Sequence, residues 1–282
     1  MTTPPPDAIT LPIVQKALEE DLAQGGDITS NALIAPDQQA QAVIVARQDG
    51  RIAGLSCARL TFAHLDANLV FTAHLHDGDD ANAGDVVASI KGPARAILAG
   101  ERVALNFLGH LSGIATSTRA MVAKLEGTEA RLCCTRKTLP GLRSLQKYAV
   151  RVGGGVNHRF GLGDAILIKD NHIHAAGGIK NAIMRARQHV GHMTKIEIEV
   201  DTLDQLHAAL PHNPDVIMLD NMDLSTLRQA VDIIGKRAIA EASGGVTIDT
   251  IADIAATGVD VISTSAITMS ARALDLGLDF TS

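Results

Sequence analysis

Residues 195–220, KIEIEVDTLDQLHAALPHNPDVIMLD, run through a short apolar strand, a polar step, a helical stretch and a second apolar strand. Two strands separated by a helix call for a parallel crossover rather than a hairpin. The same alternation extends in both directions. ARLCCT, AILIK, RAIAEA and DVISTS complete a set of six strand candidates, which end near residues 135, 169, 200, 219, 242 and 264. Six βα units fit either a doubly wound sheet or a barrel. The residues at the strand ends choose between them. Arg136 and Lys137, then Lys169, Glu199 with Asp201, Asp220, and Ser243-Gly244-Gly245 all stand at strand C-terminal ends, where barrel enzymes carry their chemistry. The expected fold class is α/β, an incomplete barrel of about six strands.

Upstream the pattern changes. A helix is expected from about Thr10, with Ile13, Val14, Leu18 and Leu22 on one face and Gly25-Gly26 at its end. QAVIVARQDG, LVFTAHL and DVVASIKG alternate between turn signals and read as antiparallel strands, followed by a long helix from about Ile97 to Lys124. The expected organisation is an N-terminal mixed α+β domain over 1–110, with 270–282 returning to it, and the incomplete barrel over 111–269.

Composition excludes several functions. Of the 282 residues only five are Phe, one is Tyr and none is Trp, too few for the stacking platforms of single-stranded nucleic-acid binders. A net charge of -6 opposes a general polyanion surface such as DNA or an anionic membrane. No apolar run reaches the roughly 18 residues of a membrane helix, and MTTPPPDA has no basic-then-apolar leader, so a cytoplasmic location is expected. Cys57, Cys133 and Cys134 are read as buried free thiols.

The positive charge is concentrated. Between Arg131 and Lys169 eight cations face one acid, Asp164, a net of +7 that leaves -13 for the rest of the chain. Arg143, Lys147 and Arg151 recur every four residues and are expected to line an exposed helix face. Arg136-Lys137, Arg159 and Lys169 stand beside core strands and call for an anionic partner. GGGVNHRFGLG fits neither a dinucleotide nor a P-loop fingerprint and reads as a loop with a cationic tip. Ser243-Gly244-Gly245, ahead of a helix near Thr247, can offer backbone N–H groups to a phosphate. Glu197, Glu199 and Asp201 share one strand face, and Glu199 with Asp220 presents the hard oxygens that suit Mg²⁺ bound jointly with a substrate phosphate. His172 and His174 lack a third ligand at zinc spacing.

EEDLAQGGDITS, GERVALNFLGHLSGIAT, TRKTLPGLRSLQKYAVRVGGGVNHRFGLGDAILIKDNH, EIEVDTLDQL, MLDNM and EASGG together resemble the quinolinate phosphoribosyltransferase family, end to end. The resemblance implies a type II phosphoribosyltransferase that makes nicotinate mononucleotide, pyrophosphate and CO₂ from quinolinate and phosphoribosyl pyrophosphate. It also implies a homodimer with shared active sites, further association of dimers being left open. Arg136, His158, Arg159 and Lys169, with Arg102 from the partner subunit, would then bind the carboxylates. Thr135 joins this substrate-binding set. Lys137, Glu199 and Asp220 would serve phosphoribosyl pyrophosphate directly or through Mg²⁺; Ser243, Gly244 and Gly245 with Thr264, Ser265 and Ala266 would hold the 5'-phosphate. Lys137, Lys169, Glu199 and Asp220 are the expected catalytic groups. Ser265 and Met269 stand where the family pattern has Gly and His, which puts the Thr264–Ala266 role in doubt. Three other readings stay open: a nicotinate-type phosphoribosyltransferase, a molybdenum-transport-associated paralogue, which usually lacks KDNH, and a non-catalytic ligand-binding protein.

Overall fold

The structure, a computed structural model, describes residues 2–281. In chain order α1 (Asp7–Leu22), α2 (Ile28–Leu33), β1 (Gln39–Ala46), β2 (Gly50–Arg51), α3 (Leu55–Leu65), β3 (Val70–Ala73), β4 (Asp80–Ala81) and β5 (Val86–Pro93) lead into the long helix α4 (Ala94–Ala123). There follow β6 (Arg131–Cys133), α5 (Arg143–Val152), β7 (Ile166–Ile168), α6 (Asp170–Ala176), α7 (Ile179–His189), β8 (Ile196–Val200), α8 (Leu203–Ala209), β9 (Val216–Asp220) and α9 (Leu224–Ile234). β10 (Ile239–Ser243), α10 (Ile251–Ala255), β11 (Val261–Ser263), α11 (Ala266–Met269) and β12 (Leu276–Thr281) complete the chain. Two compact units result. Among the described residues, the first holds 2–119, Thr138–Gly154 and 270–281; the second holds Ala120–Lys137 and Gly155–Met269.

The first unit is built on an antiparallel sheet of order β12-β1-β5-β3. Its period-two pattern sends Ala42, Ile44 and Ala46 of β1, with Ala88 and Ile90 of β5, into a core shared with Phe62 of α3 and Ile97, Ala104 and Leu108 of α4. The C-terminal segment returns to this unit as β12, paired along β1 from Gln41↔Thr281 to Ala46↔Leu276. On its way it crosses α4 at backbone contact, where a Cβ on Gly113 would lie 2.0 Å from the Arg272 carbonyl oxygen. Only glycine permits that approach.

Residues 138–154 lie inside the span expected for the barrel domain yet belong to this first unit, because α5 leans on α4. A Cβ on Gly153 would sit 2.6 Å from the Ala115 carbonyl oxygen. This also corrects the exposed face expected for Arg143, Lys147 and Arg151. Lys147 is wholly buried, Arg143 is half-buried with Nε donating to Thr138 Oγ1 at 3.0 Å, and only Arg151 is exposed. A four-residue repeat marks a helix face; it does not say which way that face points.

The second unit is a six-stranded parallel sheet of order β6-β11-β10-β9-β8-β7. Along β8, Ile196, Ile198 and Val200 are buried on one face while Glu197 and Glu199 take the other. The ladder carries this second face across the sheet through Glu199↔Met218 and Met218↔Glu241. The sheet is rolled about it. Val156 pairs with Cys133 at the β6 edge, and two residues later His158 reaches Glu197 on β8, four strands away in sheet order. In a flat sheet four strand spacings of about 4.8 Å would separate them by about 19 Å, beyond the reach of two extended residues and an imidazole. Among the described residues no ladder joins β6 to β7, so the barrel is incomplete.

Candidate active site

Because the six strands are parallel, their C-terminal ends form one rim. Thr135, Arg136 and Lys137 follow β6, Lys169 follows β7, Glu199 lies near the end of β8, Asp220 ends β9, Ser243–Gly245 close β10, and Thr264–Ala266 follow β11. His158 and Arg159 come in on the loop that leaves Val156. Each of these residues lies in the second unit. Arg102 does not; it lies on α4 in the first unit, with a 63% exposed side chain 3.9 Å from Glu101.

The loops are held locally. Thr135 Oγ1 accepts from the Lys137 N–H at 3.0 Å, and Thr268 Oγ1 donates to the Lys137 carbonyl at 2.8 Å, which fixes the backbone of the Arg136-Lys137 turn. The Val156 N–H bonds to the Leu132 carbonyl, and Cys134 Sγ donates to Asn157 Oδ1 at 3.3 Å. The glycine-rich loop therefore starts as a short continuation of the sheet. The Lys169 N–H is accepted by His172 Nδ1 at 3.0 Å, so His172 of DNHIH secures the start of α6. At β10, Gly244 has φ +93°, and a Cβ there would lie 2.1 Å from Asn221 Oδ1. Asn221 is itself positive in φ, gives its N–H to the Ser243 carbonyl, and donates its amide to Asp220 Oδ2 at 2.7 Å. After β11, Thr264 Oγ1 accepts from the Ala266 N–H at 3.1 Å.

Electrostatics divide the rim. Arg159 is pushed below its ordinary value, first by burial and then by the neighbouring Arg136, against the pull of Glu197 and Asp164. The like charge of Arg136 felt at Arg159 makes this part of the rim favourable to an anion. Lys169 Nζ is ion-paired with Glu199, so the lysine expected at a substrate carboxylate and the acid expected at the metal begin as partners. The three acids aligned in the sequence part here: Glu199 of β8 meets Lys169, Asp201 just beyond β8 is exposed, and Glu197 of β8 accepts from His158 Nε2 at 2.9 Å.

Below the rim lies an acid that sequence reasoning missed. Glu241, 4% exposed, places Oε1 3.9 Å from the same His158 nitrogen. Burial and the Glu197 charge beside it raise its carboxyl to about 7. Two signals could have found it: it is the single charge within the apolar strand IAEA, and it stands two residues before Ser243, hence on the same face.

Known proteins share this arrangement along the whole chain. Residues 27–112 match the quinolinate phosphoribosyl transferase N-terminal domain, and residues 114–279 match the C-terminal domain of the same name. A protein named probable nicotinate-nucleotide pyrophosphorylase [carboxylating] from Bacillus subtilis is 46% identical over 93% of this chain and 90% of its own. Quinolinate phosphoribosyltransferase [decarboxylating] 1b of Nicotiana tabacum is 40% identical over 94% of this chain and 81% of its own. The solved nicotinate-nucleotide pyrophosphorylase of Francisella tularensis superimposes with a TM-score of 0.94 at 40% identity, covering 98% of both chains. With both domains matched, an incomplete parallel barrel, and the Arg136–Arg159 pair at its rim, the chain belongs to the quinolinate phosphoribosyltransferase family.

Proposed function

We infer that this chain transfers the phosphoribosyl group of phosphoribosyl pyrophosphate to quinolinate with loss of CO₂, the step that supplies nicotinate mononucleotide to NAD biosynthesis. One observation carries the reading beyond family membership: in a protein of net charge -6, Arg136, Lys137, Arg159 and Lys169 gather at one rim, where the Arg136 charge is felt at Arg159, as a dianionic substrate requires.

Arg136, His158, Arg159 and Lys169 hold the two carboxylates, with Thr135 at the same turn. Arg102 comes from the other copy of a homodimer whose sites are shared. Lys137 faces the pyrophosphate, and the N–H groups around Ser243, Gly244, Gly245 and Thr264, Ser265, Ala266 receive the 5'-phosphate. The pyridine nitrogen brings its own lone pair to the anomeric carbon, so the glycosidic bond forms as the C–O bond to pyrophosphate breaks, and no general base is needed. The leaving pyrophosphate and the cationic ribosyl centre are the charges to be stabilised. Once the ring nitrogen is cationic, the bond to the 2-carboxylate can break: CO₂ leaves, its electron pair stays on the ring carbon beside the positive nitrogen, and a proton completes the product.

Glu199 and Asp220 fit a magnesium ion bound mainly by substrate oxygens, since Mg²⁺ commonly takes one or two protein carboxylates beside phosphates. A bound ion would supply positive charge to the departing pyrophosphate. Lys169, ion-paired with Glu199, can exchange that partner for a substrate carboxylate. Among the described residues no helix is long and apolar enough to cross a membrane.

The test is substrate discrimination. Without the 2-carboxylate, one cation of the clamp loses a charge-assisted hydrogen bond of about 1.5 to 3 kcal/mol, so kcat/KM for quinolinate exceeds that for nicotinate by about tenfold to a hundredfold. Measured pyrophosphate release at equal rates from both acids overturns the reading.

A further inference from the structure

The inner face of a barrel sheet is ordinarily filled with branched aliphatic side chains. Here the layer beneath the rim holds Glu197 of β8 and Glu241 of β10, each more than nine-tenths buried, with His158 between them. A carboxylate only accepts hydrogen bonds, so His158 Nε2, 2.9 Å from Glu197 Oε2, carries the proton of that contact. That contact is already made. Glu241 is a second carboxyl against the same nitrogen, and among the described residues its Oε1 and the Oε1 of Glu197 make no hydrogen bond. A buried carboxyl placed next to another, without a cation of its own, is held neutral.

We propose that Glu241 is a positioning residue for the dicarboxylate: as a neutral acid it fixes His158 against Glu197, and as an anion it puts an unbalanced negative charge directly beneath the carboxylate site. The inference rests on the quinolinate reading above. Its chemistry is protonation alone; no bond other than O–H forms or breaks. The groups that bear on Glu241 are Glu197 of β8, His158 of the loop after Val156, the Ser263 hydroxyl of β11 and Cys134 after β6. Met218 of β9 lies level with it in the ladder and is uncharged, and Asp220 lies one step nearer the rim. Arg159, on the same loop as His158, interacts with Glu197. The carboxyl's value of about 7 sets where the switch falls.

The experiment compares the KM for quinolinate of the full-length enzyme and of Glu241→Gln at saturating phosphoribosyl pyrophosphate and Mg²⁺, so that ionisations of the substrates cancel in the ratio. Binding only to the neutral form makes the wild-type KM rise about 30-fold between about pH 6 and pH 8.5, while the amide variant stays flat and kcat moves little in either. Parallel profiles, or a loss confined to kcat, overturn the proposal while leaving the quinolinate reading intact. Wild-type protein that never consumes quinolinate overturns both. A stoichiometric transition-metal ion in dialysed protein that is lost in Glu241→Gln overturns it too, since His158, Glu197 and Glu241 would then be ligands. Should the variant fail to fold, calorimetry of quinolinate binding to wild-type enzyme at about pH 8, in two buffers of different ionisation enthalpy, reads the same event. Uptake close to one proton per site supports the proposal, and zero overturns it.

Discussion

In the antiparallel sheet of the first unit the inward-facing residues include Ala42, Ile44, Ala46, Ala88 and Ile90. The corresponding face of the parallel sheet carries Lys169, Glu197, Glu199, Asp220 and Glu241. Both sheets obey period two, and both bury their other elements well, yet one spends its enclosed face on apolar packing and the other on charge. Burial of each isoleucine in the first sheet contributes roughly 2 kcal/mol. Charged groups in the second contribute little net stability and much local field. The contrast assigns stability mainly to one face and chemistry to the other.

Two substitutions break the comparison if it is wrong. Ile44→Ala removes a fully buried side chain from the first sheet and is expected to cost about 2 to 5 kcal/mol in denaturant unfolding, with kcat/KM unchanged in conditions where the protein stays folded. Lys169→Met is the converse. Its side chain is 46% exposed, so loss of the Glu199 pair moves Tm by a degree or two, whereas kcat/KM falls about a hundredfold or more. An Ile44→Ala protein that is stable but inactive, or a Lys169→Met protein that unfolds, reverses the assignment.

The same contrast explains what could be read from the sequence. Strand ends expected near 135, 169, 200, 219, 242 and 264 lie within two residues of the observed ends at Cys133, Ile168, Val200, Asp220, Ser243 and Ser263, because apolar runs bounded by polar residues leave little choice. The rim residues were legible for the same reason, since the parallel order turns position in each strand into position in space. The burial of Lys147 is not legible because a local repeat marks a helix face without encoding what covers it; just beyond the same helix, Gly153 meets α4. Glu241 escaped because its meaning arises only when the sheet rolls and brings β10 opposite the loop of His158. Asn221 is likewise invisible as a brace until its side chain is seen against Gly244.

A buried acid on the chemical face leaves a signature in stability as a function of pH. Glu241 titrates at about 7 in the folded chain, above the ordinary unfolded value of about 4.3. Folding therefore takes up a proton between these values: the group's contribution is fully present below about pH 4.3, is lost as pH rises through about 7, and changes no further above that. The loss is on the order of 3 kcal/mol. Glu241→Met lacks this titrating group, so its stability relative to wild type improves across this window. Urea unfolding at a series of pH values checks the slope; a constant difference contradicts a buried, proton-holding Glu241.

The smallest effect belongs to a part-buried polar contact of the first unit. Tyr148 of α5, the sole tyrosine, donates its hydroxyl to Asp77 Oδ2 at 2.7 Å. Burial, with the Asp77 charge adding to it, raises its ionisation far out of range, so it remains a donor at any working pH. Asp77 also accepts the Gly54 and Leu55 N–H groups at 3.0 and 3.1 Å, at the start of α3, and so ties that helix to α5. Tyr148→Phe leaves the carboxylate with both backbone donors, so it does not orphan a charge; the expected cost is about 1 to 2 kcal/mol, with kcat/KM unchanged. The readout is thermal unfolding beside initial rates. A Tyr148→Phe enzyme with wild-type Tm and altered quinolinate KM would place chemistry in the first unit as well, and the division between a stabilising face and a reacting face would have to be redrawn around Asp77.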